Sequence, residues 1–403
     1  MSNQLGRSVQ LVDLVSEVTS GVTPQAGSAR YYTDEGYLFA KIDDLTAADG
    51  KTIESTFLQV KHAALQGTGL RLYPTGTILL SMYGTVGQVK VTTCELTGNQ
   101  ALAALLPPFR CDPSFLYHYL VWVRPYWDRS KAQTTQANIN GTTVKSLPIR
   151  LPSSLEQRQI AETLDTLDDQ ISTLERIIRK FEQCRMGLIH DALREGDLDQ
   201  VTPLGSLADV TAGVTLGSRL SGPGTVSRPY LRVANVQDGH LDLNEIKSVR
   251  VRQSDLHRFE LKPGDVLMNE GGDADKLGRG AVWEGQIPGC LHQNHVFRVR
   301  CHLAKLIPQY LSLVSGSAHG KRYFLSASKQ TTNLATINSR QIKQFPVPLC
   351  SLDRQLQIAE TAAAITAKIE TERSCLVKAR LLKAGLMTDL LSGRIQVPQE
   401  VLA

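Results

Sequence analysis

The stretch NEGGDADKLGRGAVW, Asn269–Trp283, crowds glycines, acids and cations directly after the apolar residues Val266, Leu267 and Met268. Such a mixture could cradle a phosphate, hold a cation or read the edge of a ligand. A phosphate loop needs the order G-x-x-x-x-G-K-[ST], in which backbone N–H groups wrap the phosphate and the lysine reaches it; the chain lacks that order. A calcium loop needs oxygen ligands at 1-3-5 spacing and a closing glutamate, and Glu270, Asp273 and Asp275 do not supply them. His292 and His295, in HQNH, are three apart, so a strand would point them to opposite faces and spoil a metal clamp. Neither H-E-x-x-H nor G-x-S-x-G occurs. LPPF, Leu106–Phe109, lacks the asparagine of an amino-methyltransferase tetrapeptide. No metal site and no catalytic centre is read here; the expected role is binding and organising.

The composition agrees. The 403 residues are 42% hydrophobic and 21% charged, a length that suggests two or three domains. The excess of five positive charges permits a nucleic-acid partner without demanding one. Seven cysteines, at 94, 111, 184, 290, 301, 350 and 375, form no CxxC pair and read as reduced thiols. No run of about 18 apolar residues could span a bilayer, and the first ten residues carry no apolar secretion segment. A cytoplasmic protein with no membrane partner is expected.

The elements that must position such residues come in two copies. LVDLVSEVTSGVTP (Leu11–Pro24) and LGSLADVTAGVTLG (Leu204–Gly217) share the string V-T-x-G-V-T. Later matches pair YLFAKIDDL with YLRVANVQDG, LYPTGTILLS with LKPGDVLMN, and FLYHYL with LIPQYL. Asn140 and Asn338, Pro148 and Pro346, and Gly187 and Gly385 each lie 198 positions apart. Ordered matches over nearly the whole length indicate an internal duplication.

Each copy opens with a strand-rich segment of short Val/Ile/Leu/Tyr runs punctuated by Gly, Pro and Asp. Each closes with a long helix. In the first, Ile160, Leu164, Leu167, Ile171, Leu174, Ile178 and Phe181 alternate at spacings of four and three, a heptad seam that another helix must cover. The second carries Ile358, Ala362, Ile365, Ile369 and Leu376 on similar spacing, with Glu372 interrupting it. Ser154 and Ser351 suit the helix starts, Gly196 and Gly393 the ends. The pair could cover one another if antiparallel; a separate oligomer for each helix is the alternative. The expected fold is α+β: two similar strand-rich α/β domains, 1–152 and 200–350, separated by antiparallel coiled-coil spacers, 153–199 and 351–395.

PYLRVANVQDGHLDL, LKPGDVLMNEGGDADKLGRGAVW, CLHQNHVFRVR and QIKQFPVPL, with the helical LEQRQIAETLDTLDDQI and LDRQLQIAE, carry a resemblance. In this order the chain resembles the specificity subunits of type I restriction–modification enzymes over essentially its full length. The resemblance implies two target-recognition domains that each read half of a bipartite double-stranded DNA site, with the helices fixing the gap. It also implies two modification subunits that use S-adenosylmethionine to methylate adenine N6. Two restriction subunits would use ATP and magnesium, and this chain itself would bind no cofactor. A coiled-coil scaffold that binds only proteins is the alternative.

Base reading needs paired donors and acceptors, and phosphates need cations. In the second copy the candidates are Arg232, Asn235, Gln237, Lys276, Arg279, His292, Asn294, Lys321, Arg322 and Tyr323. In the first they are Lys41, Tyr83, Lys90, Asn99, Gln100, Arg129 and Lys131. The outer helix residues Glu156, Arg158, Glu162, Arg176 and Lys180 form either a solvated face or a docking face for the modification subunit.

Overall fold

A computed structural model describes residues 7–130, 138–195, 201–215, 223–272, 277–278, 280–330 and 335–396. The chain divides into two compact units, Met1–Ile177 with Glu372–Ala403, and Ile178–Thr371. Each holds one strand-rich globule and a part of both long helices, Ser154–Glu195 and Leu352–Leu391.

The first unit is built on a five-stranded sheet in the order Glu17–Ser20, Leu102–Leu106, Ile78–Ser81, Val89–Thr92, Thr52–Ile53. Its two central strands Leu102–Leu106 and Ile78–Ser81 are almost wholly apolar because both faces are covered. Ile78, Leu80, Ala103 and Leu105 join one core with Phe115 and Leu116 of the helix Pro113–Trp122. The intervening Leu79, Leu102, Ala104 and Leu106 join a second core with Leu45 and Tyr73. Alternation along a strand sends successive side chains to opposite faces, so a sheet packed on both sides shows no polar period.

A four-stranded sheet follows in the order Tyr32–Thr33, Gln59–Val60, Tyr37–Ala40, Thr97–Gly98. Arg7–Gln10 pairs antiparallel with Pro148–Leu151, so the chain enters and leaves the globule at one place, beside the long helix that starts at Ser154.

The second unit repeats this logic. Its four-stranded sheet runs Ala208–Ala212, Val296–Cys301, Val266–Asn269, Gly280–Val282. Val266 and Met268 enter one core while Leu267 enters another. A three-stranded sheet of Lys247–Arg252, Thr225–Leu231 and Leu291–His292 stands beside it, and Val201–Pro203 pairs with Pro346–Pro348.

The V-T-x-G-V-T glycine has the same task in both units. A Cβ on Gly21 would lie 1.5 Å from the Gly98 carbonyl oxygen, and one on Gly213 would lie 2.0 Å from that of His292. Only glycine lets the two backbones approach so closely.

The long helices measure 42 and 40 residues. In the first unit, Ile160, Ala161 and Leu164 share a core with Met387, Leu390 and Leu391. Lys383 pairs with Asp168, and Arg380 with Glu175 at 2.6 Å. As one number rises the other falls, so these stretches run antiparallel. In the second unit Ala192, Leu193 and Ile358 share a core.

Of the expected seam residues, Ile160, Leu164, Leu167, Ile178, Ile358, Ala362, Ile369 and Leu376 are buried. Ile171, Leu174, Phe181 and Ile365 are half-buried. The first helix start differs from the expectation by one residue: the hydroxyl of Ser153, not Ser154, accepts from the N–H of Glu156 at 3.3 Å. At the second start, Ser351 accepts from Arg354 at 3.3 Å. Gly393 takes the positive φ of a helix C-cap, at 75°. Gly196 lies outside the described residues.

Candidate nucleic-acid interface

In the second unit, four segments bring polar side chains to one cleft of about 580 Å³, lined by Val233, Glu270, Gly271, His295, Lys329 and the run Thr336–Asn338 with Gln341. Hydrogen bonds from the backbone fix its walls. Glu270 donates its N–H to the carbonyl of His295 at 2.9 Å, and its own carbonyl accepts from Ile337 at 2.8 Å. Gly271–Gly272 then pairs with Ala335–Thr336, which pairs with Lys329–Gln330. At the rim, His295 Nδ1 meets the carboxylate of Glu270, and Asn294 stands 3.4 Å from His295 Nε2.

The other candidates of this unit divide by burial. Lys321 is exposed and pairs with Asp238 at 2.9 Å, and Arg322, beside it on the helix Ala318–Ala327, is exposed as well. Gln237 is half-buried and donates to the Ala234 carbonyl at 2.8 Å. Arg232 is half-buried and reaches Glu245 at 3.4 Å. Tyr323 is half-buried against Phe324 and Phe345, and its hydroxyl donates to the Gln341 carbonyl at 2.7 Å.

Two expected DNA-facing residues are scaffold instead. Asn235 is buried: its Oδ1 caps the Arg232 N–H at 2.9 Å, and its amide donates to the carbonyls of Asp242 and Glu245. His292 is fully buried, with Nδ1 donating to the Val296 carbonyl at 2.7 Å; burial holds its pKa down to about 4. An imidazole so enclosed stays neutral and away from a duplex. Lys276 and Arg279 lie outside the described residues.

In the first unit Lys90 needs the same correction. It is buried, and its ammonium donates to the carbonyls of Ala48, at 2.6 Å, and Gly50. Lys41 is half-buried, its N–H capped by Asp44 at 2.7 Å, which is the arrangement Asn235 makes for Arg232. Tyr83 is exposed. Asn99 is half-buried and accepts from the Ala101 N–H at 3.1 Å, and the exposed Gln100 accepts from Thr23. Arg129 lies on the helix Arg124–Ser130, and Lys131 is outside the described residues.

Among the described residues, one group of side chains has metal-ligand types in reach of one another: His118, Asp165 and Asp168. His118 Nε2 lies 2.8 Å from Asp165, and Lys51 lies 2.7 Å from the same carboxylate, which Ser114 also meets. Lys383 holds Asp168. Two ammonium groups thus already neutralise the two carboxylates, and a divalent cation would have to displace them. Burial alone would raise the Asp165 carboxyl. The hydrogen bonds from His118, Lys51 and Ser114 outweigh burial and hold it well below the usual carboxylate range. Burial pushes His118 down, against the pull of Asp165. The cluster ties the helix Pro113–Trp122 to both long helices within the first unit.

Residues 15–183 match the family described as type I restriction modification DNA specificity domain. A putative type I restriction enzyme MjaX specificity subunit from Methanocaldococcus jannaschii is 26% identical over 166 residues, 41% of this chain and 39% of that protein. The EcoKI specificity subunit of Escherichia coli K12 is 24% identical over 276 residues, 61% of this chain and 57% of its own. The StySPI specificity subunit of Salmonella potsdam is 24% identical over 292 residues, 66% and 61%.

These matches span from about two-fifths to three-fifths of the relatives' lengths. All three relatives are named as specificity subunits, not as methyltransferases or nucleases. In fold, the chain is similar to the type I restriction–modification S subunit from M. genitalium, with a TM-score of 0.58 at 16% identity and 97% of each chain covered. A second structure, from work on assembly and conformational transition of the type I R-M system, has a TM-score of 0.54 at 16% identity, covering 98% of this chain and 99% of that one.

Two glutamines that carried no weight in the sequence reading are structural. Gln157 is buried; its Oε1 accepts from the Asp112 N–H at 2.9 Å and its amide donates to the Pro152 carbonyl at 2.8 Å. Gln355 is fully buried; it accepts from Ile307 at 2.9 Å and donates to Lys305 and Cys350, each at 3.0 Å. Each glutamine ties the start of a long helix to the N-terminus of a globule helix, Pro113–Trp122 or Pro308–Gly316. The signal was available: Gln157 and Gln355 are 198 apart, like the asparagine and proline pairs. Among the described residues, no helix is long and apolar enough to cross a membrane.

Proposed function

We propose that this chain is the DNA sequence-specificity subunit of a type I restriction–modification complex, with no catalytic centre of its own. The globules, 1–152 and 200–350, are target-recognition domains that each read one half of a bipartite double-stranded site. The helical segments, 153–199 and 351–395, form an antiparallel coiled-coil spacer that sets the gap between the half-sites. The proposal includes an internal duplication, which relates the two globules by a pseudo-two-fold.

Two modification subunits dock on the helices and methylate adenine N6 with S-adenosylmethionine; two restriction subunits add ATP- and magnesium-dependent translocation and cleavage. The observation that carries this reading is the specificity-domain match over residues 15–183, joined to a likeness in fold to an S subunit over 97% of the chain. Side chains support it at both places. Each globule offers exposed polar groups, such as Gln100 and Tyr83 or His295 and Arg322, for a nucleic-acid edge. Val377, Leu381 and Leu382 stand exposed on the second long helix within the first unit, where a partner helix would cover them.

The test is a map of methylated adenines across a genome whose host carries this chain and its modification subunit. The expected result is one bipartite motif with a fixed gap, lost when the chain is deleted. Loss of the chain with no change in any methylated motif would overturn the reading and leave a protein-binding scaffold.

A further inference from the structure

We propose that the turn Asn294–His295, held from behind by Glu270, reads a base in the half-site of the second globule, and that the base is adenine. The inference rests on the DNA-reading function above and assigns it to particular atoms. The turn joins the strand Leu291–His292 of the three-stranded sheet to the strand Val296–Cys301 of the four-stranded sheet, and His295 is exposed on it. Glu270 is fixed by backbone hydrogen bonds on both sides, to His295 and to Ile337.

A carboxylate can only accept, so His295 Nδ1 donates to it and the tautomer is set. In the neutral ring this leaves Nε2 as an acceptor. Its neighbour is the Asn294 amide, a donor, in a 3.4 Å contact long enough for a base to replace. The exposed edge therefore presents an acceptor beside a donor.

In the major groove, adenine presents its N6 donor beside the N7 acceptor. Guanine shows two acceptors, cytosine a donor alone, and thymine an acceptor and a methyl group. Of the four bases taken singly, only adenine complements the edge, and guanine would set its O6 against the Nε2 lone pair. Lys329, exposed on the same cleft and two strands over from Gly271, supplies a cation for the adjoining phosphate. The parallel pairings of Phe39 with Thr97 and of Tyr230 with Leu291 place Gln100 and Ala101 of the first globule where the second has Asn294 and His295. The device belongs to one head, as reading two different half-sites requires.

The full chain, His295→Ala, His295→Gln and Glu270→Gln are each used to select duplexes from a randomised pool at fixed salt. Their thermal midpoints confirm folding. The parent should enrich a two-part motif. His295→Ala and Glu270→Gln should each relax one adenine position in one half by roughly 5- to 150-fold, with the other half unchanged. His295→Gln, which keeps an acceptor and a donor, should restore part of that preference. An unchanged motif in the variants, relaxation at a base other than adenine, or a uniform loss across all positions would overturn the assignment. A parent chain that enriches no motif would overturn the DNA-reading function itself.

Discussion

Gln355 accepts one backbone hydrogen bond and donates two, all partly buried, so truncating it removes three ties at the start of the helix. Gln355→Ala should cost roughly 2–4 kcal/mol. The amide of Ile307 should lose hydrogen-exchange protection first, because it loses its acceptor directly. Unaltered protection at Ile307 would refute the clamp. The first unit adds a charged tie at positions where the second has uncharged residues. Five residues after the N-terminal proline of each globule helix stand His118 and Leu313, and 198 positions after Asp165 and Asp168 stand Ala363 and Thr366.

The pH dependence of that tie follows from its two shifts. His118 titrates below its ordinary value near 6.5, so the folded unit favours the neutral ring; that stability is present above about 6.5 and is lost as pH falls through the lowered value. Asp165 titrates below its ordinary value near 3.8, so its contribution is present above about 4 and is lost as pH falls further. Acid should therefore loosen the helix Pro113–Trp122 more than its counterpart Pro308–Gly316, as hydrogen exchange at matched pH would read. His118→Leu should flatten the upper part of that dependence. These residues were hard to read beforehand because polarity on its own does not reveal burial. Lys90, Asn235 and His292 have the chemistry of DNA contacts, yet local carbonyls and N–H groups use it up.

The elements themselves were far more legible, because apolar spacing reports which faces are covered. The 4-3-4-3 run of the first long helix marks residues that are all buried or half-buried, and the doubled V-T-x-G-V-T string marks a place where two backbones touch. What spacing could not show is the second apolar face of strands such as Ile78–Ser81, nor which serine caps a Ser153-Ser154 pair. The glycines sharpen this distinction into a prediction. Gly21→Ala and Gly213→Ala would drive a Cβ into a carbonyl oxygen, and each should cost about 3 kcal/mol or more. Gly187 and Gly385, also singled out by their spacing, have open space where a Cβ would go and lie within the long helices. Gly187→Ala and Gly385→Ala should instead stabilise by up to about 1 kcal/mol through helix propensity. Thermal unfolding of the four variants separates the classes; equal losses in all four would refute the assignment of roles.

For the whole molecule, the spacer role proposed for the helices of 42 and 40 residues makes the gap between half-sites a question of length. A helix rises about 1.5 Å per residue, so seven added residues lengthen it by about 10.5 Å while keeping the heptad phase. Duplex DNA rises about 3.4 Å per base pair along each strand, which makes the same length about three base pairs. The insertion has to be made in both helices, because the seam must stay covered. Within the first unit the register that sets Asp168 against Lys383 puts Thr173 opposite Lys378. One heptad after each of those residues should give a chain that keeps both half-site sequences and lengthens the gap by about three base pairs, as mapped by adenine methylation. Four residues inserted instead would turn the seam out of phase, expose Ile171 and Leu174, and lower stability without giving a defined new gap. A heptad variant that folds and methylates with the parental gap would show that the helices do not set the spacing, whatever the globules read.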